Sequence, residues 1–105
     1  MNHTPERALV GDVIDDPRLI VNVRRIVPSG EYFSDVIAGK LYDIVLSAYD
    51  ENGGIDLAVL NPRVVKIGVK PSELLEYTAL ASSHMAEIHA RIVAECHMTR
   101  VTVKE

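Results

Sequence analysis

Short apolar runs, cut by turn-forming residues, fill the first two thirds of the chain. Residues 8–14 stop at Asp15-Asp16-Pro17, and residues 18–27 stop at Pro28-Ser29-Gly30. A weaker run, 31–37, precedes 41–49, where Tyr42, Ile44, Leu46 and Ala48 fall on one side under a period of two. Asp50-Glu51-Asn52-Gly53-Gly54 then reads as a hairpin loop, since Asn-Gly and Gly-Gly accept positive φ without a Cβ clash. Residues 55–60 return, Asn61-Pro62 turns the chain, and 63–69 complete the series. Alternation in short runs is the signature of half-buried strands, and tight turns imply antiparallel neighbours. The pattern over 8–69 therefore predicts a β-meander or small, partly open barrel of five to six strands.

The grammar changes at Lys70-Pro71-Ser72-Glu73, where a first-turn proline and an acid suit a helix start. Residues 71–97 are rich in Leu, Ala, Met and Glu and predict one long helix. At 100° per residue, Leu74, Thr78, Ala81, Met85, Ile88 and Ile92 form a seam expected to lie on the sheet. A second seam of smaller residues, Leu75, Ala79, Ser82, Ala86, Ala90 and Val93, lies beside it. Two adjacent apolar seams exceed what one thin sheet covers, so the second is expected to be an interface in a homodimer or higher oligomer. Residues 99–103 alternate again and predict a short terminal strand. The expected class is thus α+β, a single domain over residues 1–105.

Composition fits that picture and narrows the function. Of 105 residues, 48% are apolar and 25% charged, the balance of a globular domain. The net charge of −4 argues against a dedicated nucleic-acid binder, which needs a basic surplus. No run approaches the roughly 18 apolar residues of a membrane span, and the polar start Met1-Asn2-His3-Thr4 lacks a secretory pattern. With Cys96 as the one thiol, a cytoplasmic protein is expected.

Candidate chemistry is sparse. His84, Glu87, His89, Cys96 and His97 offer metal-ligand types, but the two nearer histidines stand five apart rather than four and diverge around a helix. The 50–56 loop departs from a calcium loop, with Ile55 where glycine is required. No metal, cofactor or catalytic set is expected from these patterns. The basic residues Arg18, Arg24, Arg25 and Lys66 form the clearest set, since arginine forks pair with carboxylate or phosphate. The expected function is a non-catalytic, oligomeric binding or regulatory protein acting on a protein partner. An alternative is a sensor holding an anionic small molecule, such as a nucleotide, on those cations. A third is a minimal enzyme with an interfacial site built from His84, His89 and tyrosines.

Overall fold

A computed structural model describes residues 4–103, and among them there is no strand. Six helices make the fold: α1 (Thr4–Asp15), α2 (Ile20–Ile26), α3 (Val36–Asn52), α4 (Leu57–Val65), α5 (Pro71–Ala79) and α6 (Ala86–Val103). Three 3₁₀ turns, at Pro17–Leu19, Gly30–Tyr32 and Ser83–Met85, join them. The expected β-meander over 8–69 is therefore corrected to four helices, and the α+β class to an all-helical one.

The reason is visible in α3. Its exposed polar residues, Lys40, Asp43, Ser47 and Asp50, recur at spacings of three and four, while Leu41, Tyr42, Val45, Leu46 and Ala48 are buried. That is a period near 3.6, which a window of eight or nine residues confuses with alternation when Val, Ile and Tyr are frequent. Asp35 starts the helix by accepting the N–H groups of Ile37 (3.1 Å) and Ala38 (3.2 Å). Gly53 ends it, with φ 72° and its N–H on the Tyr49 carbonyl at 2.7 Å. The left-handed glycine read as a hairpin turn is a helix C-terminus.

The central element is α1. Every residue from Ala8 to Ile14 is buried, because α3, α5 and α6 pack around it. Gly11 allows α5 to approach so closely that a Cβ would strike the Tyr77 backbone. Gly30 and Gly39 make a similar backbone contact between the Gly30–Tyr32 turn and α3. The expected Asn61-Pro62 turn lies inside α4, which Asp56 caps by accepting the Ala58 N–H at 2.9 Å.

The single helix expected over 71–97 is two helices. Between α5 and α6 the chain breaks at residues 80–82, where Ser82 donates its N–H to Asp12 Oδ1 at 2.6 Å. The expected strand over 99–103 is the last part of α6. Because of the break, neither seam keeps its phase. Leu74 is buried, but Ile88 and Ile92 are 46% and 38% exposed. In the other seam Leu75 and Ala79 are exposed and Ser82 is half-buried, whereas Ala86, Ala90 and Val93 join the core.

Candidate functional site

Two carboxylates on α1 are taken out of water, and each organises a distant segment. Glu6 accepts the backbone N–H of Ser34 (3.0 Å) and Asp35 (2.8 Å) and the Ser34 hydroxyl (2.6 Å). It therefore anchors the entry to α3. Asp12, with no exposure, accepts the Ser82 N–H through Oδ1 and meets His89 Nδ1 through Oδ2 at 2.7 Å. A buried carboxylate on a ring nitrogen fixes the imidazole's tautomer and direction, as in many proton-transfer sites. Here the arrangement joins α1, the α5–α6 break and α6.

The end of α6 forms a second polar cluster with the Gly30–Tyr32 turn. His97 stacks on Tyr32 with ring centres 4.1 Å apart and planes 21° apart. Arg100, one turn on, donates through Nη2 to the Tyr32 carbonyl at 2.7 Å. A cavity of about 320 Å³ opens there, lined by Glu31, Phe33, Ser34, His97, Arg100 and Val101. A cavity of like volume lies against α5, between Arg7, Glu73, Glu76, Tyr77 and Leu80.

Two of the basic residues read from the sequence, Arg18 and Arg24, are already met by carboxylates. Arg18 is bound to Asp16 by two side-chain bonds of 3.0 and 3.2 Å. Arg24 grips Asp50 in a fork at 2.7 and 3.1 Å. The hydrogen bonds from these guanidinium groups hold the Asp16 and Asp50 carboxyls below their ordinary range. Arg63 does the same to Glu51 at 2.6 Å. Arg25 and Lys66 are exposed on α2 and just after α4. The histidines separate likewise: His84 and Cys96 are exposed, His89 belongs to Asp12 and His97 to Tyr32. Among the described residues no three His, Cys, Asp or Glu side chains are grouped to hold a metal ion. No described helix is long and apolar enough to cross a membrane.

Sequence reasoning missed Glu6, Asp12, Tyr32 and Arg100. Asp12 had a usable signal, since one acid inside Ala8-Leu9-Val10-Gly11-Asp12-Val13-Ile14 must be buried with a partner if the run is a helix. Arg100 had none, because its neighbours resemble an exposed strand. No protein-family model matches the chain, and neither a curated protein nor a solved structure matches it.

Proposed function

We propose that the chain is a small helical binding module that acts through protein–protein contact, first with a second copy of itself. The observation that carries this reading is the outer face of α6. Ile88 and Ile92, one turn apart, point away from the core with Cys96 and Thr99 beside them. Scattered exposed apolar residues are ordinary, but a stripe on the longest helix calls for a cover. Ala86, Ala90 and Val93 serve the protomer's own core, so the face left for a partner is the opposite side of the same helix. An antiparallel two-fold pairing sets Ile88 of one copy over Ile92 of the other, with the Glu87 and Arg91 side chains (3.9 Å apart within one copy) at the rim.

Sedimentation of the wild type and of an Ile88→Asp/Ile92→Asp double variant tests the reading. The wild type should associate, and the variant should run as a folded monomer with unchanged helical content. A wild type that stays monomeric at millimolar concentration, or a variant that associates as before, rules it out.

A further inference from the structure

The arginines of this chain divide by how their charge is met. Arg7, Arg18, Arg24, Arg63 and Arg91 each face a carboxylate, and Arg25 lies exposed. Arg100 differs from both groups. It is half-buried, and among the described residues its Nη2 meets only the neutral Tyr32 carbonyl and its buried Nη1 finds no acceptor. Among the described residues no carboxylate comes within 4.0 Å of it. A guanidinium cannot shed its charge, so one half-withdrawn from water with no carboxylate beside it favours an anion in the cavity that it lines.

We infer that the cavity between the end of α6 and the Gly30–Tyr32 turn binds the oxyanion group, carboxylate or phosphate, of a small molecule. Arg100 supplies the charge. His97, three residues earlier on the same helical face and stacked on Tyr32, adds an imidazole to the wall as a second polar group. Phe33 and Val101 give the body of the ligand an apolar surface. The volume of about 320 Å³ is that of a small-ligand pocket. Glu31, on the same wall, opposes an anion, which gives the site a diagnostic second variant. Arg100 also borders Cys96 and Thr99 at the end of the α6 stripe, but the inference does not rest on pairing through Ile88 and Ile92.

The test follows the Arg100 Nε–H and His97 ring signals by NMR while inorganic phosphate or benzoate is added at constant ionic strength, with chloride as reference. Saturable shifts with phosphate assign a phosphate ligand, and saturable shifts with benzoate assign a carboxylate. If neither probe saturates beyond the chloride reference, the inference is overturned. Arg100→Gln should weaken binding at least about tenfold, the worth of one charge-assisted hydrogen bond, and unchanged affinity would overturn the site. Should that variant fail to fold, Glu31→Gln decides. Several-fold tighter binding supports the inference, and equal or weaker binding refutes it.

Discussion

Asp12 Oδ2 and His89 Nδ1 lie 2.7 Å apart across the α1–α6 contact, and the carboxylate has no access to water. The same carboxylate holds the Ser82 N–H, so one side chain fixes both the path into α6 and the helix's position on α1. Removing one partner leaves the other buried and unpaired. Asp12→Ala should cost about 3–5 kcal/mol of stability, read from urea unfolding. A loss under about 1 kcal/mol would mean that water replaces the carboxylate without penalty.

Tyr42 is buried in α3, and its hydroxyl donates to the Val27 carbonyl at 2.5 Å. Tyr42→Phe leaves that carbonyl unsatisfied and should cost about 1–3 kcal/mol. Burial also pushes the Tyr42 phenol well above its ordinary value, and Tyr77 shifts the same way for the same reason. The folded state thus favours the neutral phenol. The resulting stability is complete below the unfolded tyrosine value, about pH 10, and is lost as pH rises beyond it. Circular dichroism against pH should show stability falling above about pH 10, less steeply in Tyr42→Phe. Equal slopes in the two proteins would deny Tyr42 this part.

Three glycines separate steric closeness from backbone strain. Gly11→Ala drives a methyl into the Tyr77 backbone and should destabilise by about 1–3 kcal/mol, although alanine is the better helix former. Gly53→Ala has open space but φ 72°, and should lose about 1–2 kcal/mol to left-handed strain. Gly54→Ala, in open space, should be close to neutral. Thermal melts of the three variants check that order, and a neutral Gly11→Ala would show that α5 is not seated tightly on α1.

Ala86 and Ile88 sit on opposite sides of α6, and charges there should act differently. Ala86→Glu buries an unpaired carboxylate in the core and should abolish cooperative folding. Ile88→Asp should keep the fold and weaken association. Circular dichroism with sedimentation separates the two effects, and a well-folded Ala86→Glu monomer would reverse the assignment of faces.

Much of the punctuation was legible in the sequence, while the element type was not. Asp15-Asp16-Pro17, Pro28-Ser29-Gly30, Asn52-Gly53-Gly54 and Lys70-Pro71 all fall at helix ends. Asx caps and glycine termini use the same residues as β-turns, so these signals locate boundaries without saying what they bound. The apolar runs misled because α1 is buried on nearly every side and α2 is only seven residues long, which leaves little amphipathic contrast. The break between α5 and α6 had no local cause to read. Good helix formers continue through Leu80-Ala81, and the hydrogen bond that holds Ser82 comes from seventy residues upstream. The partner of Arg24 was hidden for a related reason, since nothing near Arg24 in sequence foretells Asp50.

The bonds from Asp12 to Ser82 and His89 span 70 and 77 residues of a 105-residue chain. A helical protein ordinarily assembles from near neighbours and folds fast. Here α3 and α5 cover the first helix only in part until α6 joins it, and drawing α1 and α6 together carries the closure entropy of most of the chain. On the ribosome, α1 therefore emerges long before its chief partner exists, with an apolar surface that the elements made before α6 shield only in part. Loss of α6 by truncation would do more than shorten this molecule: it would return the chain to that unfinished state.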